Sequence, residues 1–273
     1  MTTITGILIA MIALHAFAAD STRQWPPLPL TAPEPKDNPT TPAKVELGKM
    51  LYFDPRFSED GTVSCFSCHN VMEGGDDHRP TSIGVHGQKG GRNAPTVWNA
   101  AFLSSQFWDG RAGTLEDQAK GPVTNPVEMG MKDLQSAIDR IRRIPGYRMP
   151  FEAAFGPGEV ITIGNAAKAI ATYVTTYDLA KDQGRFESTG KESDRHMWRV
   201  PTLRNLTYTA PYMHNGAVKT IPEAVRVMGS TQLNRTLSDQ EVSDIAAFLE
   251  SLTGPFPTQS MPKLPPTPGD LLQ

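Results

Sequence analysis

Apolar residues recur along this chain at helical spacing in several separate stretches, and no strand pattern of useful length is present. Thr41-Pro42, an N-cap followed by proline at the first helical position, opens a helix that runs through Leu47, Met50 and Leu51. Leu134, Ile138, Ile141 and Ile144 then repeat at helical spacing until Pro145 stops them. A further helix is expected over about Asn165 to Tyr177, with Ile170 and Val174 on its buried face. Pro222 opens another that carries Val225 and Met228, and Ser238-Asp239-Gln240-Glu241 is a capping box for a last helix through Ile245, Phe248 and Leu249. Between these stretches, Gly74-Gly75-Asp76-Asp77 and the run from Gly84 to Gly91 carry few apolar residues. Such loops do not pack a core and are better suited to lining a site. The predicted fold class is mainly α with long loops.

The two ends read differently from the middle. Ile4 to Leu14 is an apolar run ending in Ala16-Phe17-Ala18-Ala19, which reads as a secretory signal over residues 1–19, although no Lys or Arg precedes it. The run is short for a membrane span, so export with cleavage is expected, an uncleaved anchor being the alternative. Pro is frequent, 24 in 273 residues, and is concentrated in Trp25 to Pro42 and Gly254 to Pro268, which are expected to be strapping or mobile tails. With 38% hydrophobic and 20% charged residues and a net charge of −3, the chain has the composition of a soluble globular protein and offers nothing to nucleic acid or an anionic membrane surface.

The chemistry lies in Ser64-Cys65-Phe66-Ser67-Cys68-His69, which holds the only two cysteines of the sequence. Cys-x-x-Cys-His is the covalent attachment signature of a c-type haem. On a helical turn, positions i, i+3 and i+4 share one face, so two thiols can meet two vinyl groups while the imidazole reaches the iron. A zinc half-site would need two more ligands at matched spacing, and a redox dithiol has no use for the histidine.

Around this motif stand Leu47-Gly48-Lys49, Phe53-Asp54-Pro55-Arg56, Gly91-Arg92-Asn93-Ala94-Pro95-Thr96-Val97, Gln106-Phe107-Trp108-Asp109-Gly110-Arg111 and Asn125-Pro126-Val127-Glu128-Met129. Val200-Pro201-Thr202-Leu203-Arg204-Asn205 and Thr209-Ala210-Pro211-Tyr212-Met213-His214 follow. In this order they resemble the bacterial di-haem cytochrome c peroxidase family, to which MauG-type enzymes also belong. The resemblance implies a peroxidatic haem c domain over residues 20–178 and a second cytochrome c-like domain over residues 179–273. That second domain is shortened: the chain passes from Leu179 straight to Gly184-Arg185-Phe186, with no second Cys-x-x-Cys-His. One covalent haem is therefore expected, and covalent attachment of a second is excluded.

Further roles follow from the resemblance residue by residue. His69 would be the proximal iron ligand. His86, one position from the place of the family's distal histidine, would be a distal ligand or lid, with His78 the weaker candidate in the same loop. Glu128 matches the catalytic carboxylate that moves a proton between peroxide oxygens, its alternative being a surface glutamate. Trp108 matches the tryptophan between the two haems and Met228 the axial ligand of the electron-accepting haem, and each has core packing as its alternative. His196 and His214 are read as structural. Asn93, Thr209 and Pro211 match positions that supply calcium with oxygen ligands. The implied function is a periplasmic peroxidase that reduces hydrogen peroxide with electrons from a small c-type cytochrome or cupredoxin, as a monomer or a homodimer. A single-haem electron carrier and a degenerate, non-catalytic relative are the alternatives.

Overall fold

The computed structural model describes residues 31–176, 201–254, 258–269 and 271. The expected signal segment, the boundary at residue 178 and His196 fall outside the described residues. Among these the helices are α1 (Pro42–Phe53), α2 (Cys65–Cys68), α3 (Leu115–Thr124), α4 (Leu134–Arg142), α5 (Arg148–Phe155), α6 (Ile163–Thr175), α7 (Ile221–Leu233) and α8 (Asp239–Ser251). No strand forms among the described residues; antiparallel pairing is confined to isolated bridges such as Asn70 with Asp76 and Ile83 with Lys89. The fold is mainly α, as the pattern predicted.

Side chains that accept from exposed backbone N–H groups fix the helix starts. Thr41, Thr114, Asp133, Thr162, Thr220 and Ser238 each accept from the N–H three residues on, and Ser238 forms the full capping box with Glu241. Two helices escaped the periodicity. α3 contains Pro122 and α5 contains Pro150, a residue type that ordinarily breaks a helix.

The larger core is built where α1 crosses α6. Gly48 sits at the crossing so closely that a Cβ there would lie 1.9 Å from the Ala169 carbonyl oxygen. Leu47, Leu51, Tyr52, Ile138, Ile141, Ile144, Tyr147, Phe151 and Ala166 are essentially sealed from solvent around this crossing. Under it lies a buried polar network: Asp54 accepts from Arg56 Nη2 and from Tyr147 Oη, each at 2.6 Å. Arg56 Nη1 then donates to the Pro265 carbonyl at 2.9 Å and to Thr267 Oγ1 at 3.1 Å, so the proline-rich C-terminal stretch straps back onto the first core, where Leu271 is buried.

A second, smaller core of Ile221, Val225, Leu237, Val242, Ala246 and Leu249 joins α7 to α8. Of the three apolar positions that marked the last helix, only Leu249 is buried; Ile245 and Phe248 are exposed, because a two-helix layer has one inner face and they lie off it.

Candidate haem site

One helical turn presents the attachment motif. The Ser64 N–H donates to Ser67 Oγ at 3.0 Å, the His69 N–H closes the turn onto the Cys65 carbonyl at 3.0 Å, and both cysteines are unpaired. His69 Nδ1 lies 3.0 Å from the Pro95 carbonyl oxygen. A carbonyl accepts only from N–H, which places the ring proton on Nδ1 and the lone pair on Nε2. Tyr52 Oη holds the same residue by its carbonyl at 2.7 Å. Burial lowers the proton affinity of the His69 ring, keeping it in the neutral form a metal binds, and burial pushes the thiols up to about 12 for Cys65 and about 11 for Cys68. Two free thiols and one neutral, oriented imidazole on the face of one turn are a donor set that fits a haem c.

Glu128 is brought to this motif by a tight turn. Its N–H donates to the Asn125 carbonyl at 3.0 Å, and Asn125 Nδ2 donates back to Glu128 Oε1 at 2.7 Å. The carboxylate is near enough to Cys68 to disfavour the thiolate there, while Ser82 from the glycine-rich loop hydrogen-bonds the same thiol. Burial raises the proton affinity of Glu128, opposed by the positive charge of Arg111 and the Asn125 hydrogen bond. Arg111 itself lies over the Phe107 ring at 3.5 Å and pairs with Asp109 at 2.9 Å. At Asp109 burial disfavours the charge, but the guanidinium hydrogen bonds of Arg92 and Arg111 outweigh it and hold the carboxyl down to about 2.

Trp108 is buried, donates Nε1–H to the Asn93 carbonyl at 2.8 Å and meets His214 edge-on with ring centroids 6.4 Å apart, so it spans from the first half of the chain to the second. Asn93 is tied on both sides, its N–H to the His214 carbonyl and its Nδ2 to the Arg79 carbonyl, each at 2.8 Å. This brings Asn93 to the segment that holds Thr209 and Pro211. Met228 is half-buried on α7.

His86 lies at the surface. Its ring is exposed, with Nε2 3.0 Å from Glu59 Oε2, and the glutamate raises its proton affinity. The residue that points inward is Val85, completely buried. His78 is also turned away, with Nδ1 3.3 Å from the Ala210 carbonyl and 3.6 Å from Asp76.

Four residues had been given no role of their own from the sequence. The Pro95 carbonyl and Val85 act through backbone path, and Arg111 reaches Glu128 across a turn. Asp76 is 1% exposed with neither carboxylate oxygen hydrogen-bonded, and burial, only partly offset by His78, pushes it up to about 7.

A family model described as di-haem cytochrome c peroxidase matches residues 42–188. Cytochrome c551 peroxidase of Nitrosomonas europaea is 36% identical over 326 residues, covering 98% of this chain and 96% of the relative. This chain belongs to the di-haem cytochrome c peroxidase family. Another family member, the methylamine utilization protein MauG of Methylorubrum extorquens, is 30% identical, with 87% of this chain and 86% of the relative covered. The fold is shared with the crystal structure of a MauG-like protein associated with microbial copper homeostasis, at a TM-score of 0.71 and 24% identity over 86% of this chain and 96% of that one. The 326 aligned residues exceed the 273 of this chain, so part of the Nitrosomonas protein has no counterpart here. The family implies haem c as cofactor and hydrogen peroxide as substrate. No helix among the described residues is long and apolar enough to cross a membrane.

Proposed function

We propose that this family member is an exported, periplasmic haem c peroxidase that reduces hydrogen peroxide to water with one covalent haem and electrons from a small c-type cytochrome or cupredoxin. The observation that carries the reading is a half-buried Glu128, raised in proton affinity by burial, whose charge acts on the Cys68 thiol of the haem turn. Cys65 and Cys68 would attach the haem and His69 Nε2 would ligate it; when bound, the group supplies the redox centre for the two-electron reduction. The protein's own part is proton management. Glu128 takes a proton from one peroxide oxygen and returns it to the other as the O–O bond breaks, and Asn125 fixes its orientation. Burial raises the proton affinity of Glu128 above that of an ordinary carboxylate, which favours its taking up a proton. Trp108, buried and touching His214, relays electrons inward from a donor docked on the second half of the chain. Met228 packs on α7 rather than ligating a second haem, and Asn93 with the carbonyls of Thr209 and Pro211 holds a calcium ion between a haem domain over 20–178 and a shortened domain over 179–273. Loss of thermal stability on chelation would support that ion, and an unchanged melting curve would remove it.

The test is steady-state, peroxide-dependent oxidation of a reduced small c-type cytochrome by haem-loaded, exported protein. Turnover is expected. None, with haem attached by mass, would leave a single-haem electron carrier or a degenerate, non-catalytic relative, both favoured by the presence of only one Cys-x-x-Cys-His.

A further inference from the structure

His69 closes a helix of only four residues, too short to hold its own last residue in place. At that position the backbone leaves the helix, with φ −131° and ψ 73°, and the carbonyl must find a partner outside the turn. Three hydrogen bonds then fix the residue. Its N–H donates to the Cys65 carbonyl at 3.0 Å, its Nδ1 meets the Pro95 carbonyl at 3.0 Å, and its carbonyl accepts from Tyr52 Oη at 2.7 Å. The first lies within the turn and the second acts on the ring. The third ties the backbone of His69 to the core.

Tyr52 is itself firmly held. Its side chain is 1% exposed, and its ring lies edge-on to Tyr173 of α6 with centroids 5.2 Å apart. The adjacent Phe53 stacks on Phe66, inside the Cys-x-x-Cys-His segment, at 4.5 Å. Both aromatics end α1, which Gly48 lets pack directly against α6. For packing alone a phenylalanine would serve at position 52, since a sealed phenol demands a hydrogen-bond partner. The partner here is the carbonyl of the very residue that carries the imidazole. Burial raises the proton affinity of the phenol, so it remains a donor.

From this geometry we propose that Tyr52 is a positioning residue for the iron: by holding the His69 carbonyl it fixes the backbone from which the imidazole projects, and so sets how firmly Nε2 binds the metal. It acts through His69 alone and takes no part in moving the peroxide protons. This rests on attachment of the haem at Cys65 and Cys68 and ligation by His69, as proposed above.

The experiment compares haem-loaded, exported wild type with Tyr52→Phe and Tyr147→Phe. Tyr52→Phe keeps the ring and removes the donor. Tyr147→Phe deletes a comparable buried hydroxyl of the same core, one that bonds Asp54 at 2.6 Å instead of the haem turn. Acid titration followed by the optical spectrum reads release of His69, because a proton competes with the metal for Nε2. One lost hydrogen bond should make release about three- to tenfold easier in Tyr52→Phe, which moves the midpoint about 0.5 to 1 pH unit higher. The reduction potential should rise as well, since an imidazole held less firmly stabilises ferric iron less. Tyr147→Phe should leave midpoint and potential at their wild-type values. Equal midpoints and potentials in all three proteins overturn the proposal. A shift in Tyr147→Phe as large as that in Tyr52→Phe overturns it too, because the effect is then one of general stability. Wild-type protein that carries no haem by mass overturns the attachment reading and this one with it, and the mass distinguishes that failure from the spectral one.

Discussion

Replacing Glu128 by Gln separates chemistry from scaffold. The amide keeps the shape of the side chain and an oxygen to accept the 2.7 Å hydrogen bond from Asn125 Nδ2. A charge-assisted bond becomes a neutral one, which costs about 1 kcal/mol. Against this, the buried carboxylate loses the burial penalty that raises its proton affinity. The two effects oppose, so unfolding free energy should change by less than about 1 kcal/mol at neutral pH. Linkage gives the sign of the pH dependence. A carboxyl whose folded pKa is raised binds its proton more tightly when folded, so wild-type stability falls as pH rises from the ordinary carboxylate range through the raised value, and the Gln variant lacks that slope. The effect on rate is of another size. An amide cannot take and return a proton, and loss of a positioned acid–base group lowers turnover by about 10²- to 10⁴-fold, on the order of 3–5 kcal/mol on the barrier. The assay is peroxide-dependent oxidation of a reduced c-type cytochrome, with haem content and the ferric spectrum shown to equal those of the wild type. A loss of turnover below about threefold in fully loaded protein would refute a catalytic role for Glu128.

Three further outcomes follow from the packing. Gly48→Ala places a methyl group against a backbone oxygen that cannot give way, so it should lower unfolding free energy by about 3 kcal/mol or more and be seen as a fall in melting temperature. Arg56→Ala leaves the sealed Asp54 carboxylate without its guanidinium and should cost about 3–5 kcal/mol, whereas Tyr147→Phe, which removes one of several donors, should cost about 1–3 kcal/mol by denaturant titration. Asp76, pushed up to about 7 by burial, holds its proton more tightly folded than unfolded, so stability falls as pH rises from about 4 to about 7. Asp76→Asn should accordingly be the more stable protein at pH 8 by on the order of 3 kcal/mol and gain little at pH 4; a constant difference across that range would contradict the assignment.

What could be read from the sequence was what is encoded locally. The haem motif needs one helical turn, and Ser64 to His69 makes it; the starts at Thr41 and Ser238 follow from a side chain and an N–H three residues away. The direction of the 84–88 loop was not local. Whether position 85 or 86 faces inward depends on a positive φ and on Glu59, 27 residues earlier, neither of which local spacing reports. Glu128 could be assigned only by resemblance, because its raised proton affinity comes from burial, partly offset by Arg111 and Asn125, and burial is not written in local spacing. Ile245 and Phe248 were legible as helical but not as exposed, since exposure depends on what else packs against α8.

The strap from Arg56 to Thr267 sets an order of events. These partners are 211 residues apart, and closing a loop of that length costs about 5 kcal/mol of chain entropy. The Asp54–Arg56 pair, eleven and nine residues ahead of Cys65, and its partner Tyr147 therefore stay incompletely bonded until residue 267 is in place. Until that strap closes, the thiols of Cys65 and Cys68 belong to a core whose buried Asp54–Arg56 pair lacks two of its partners.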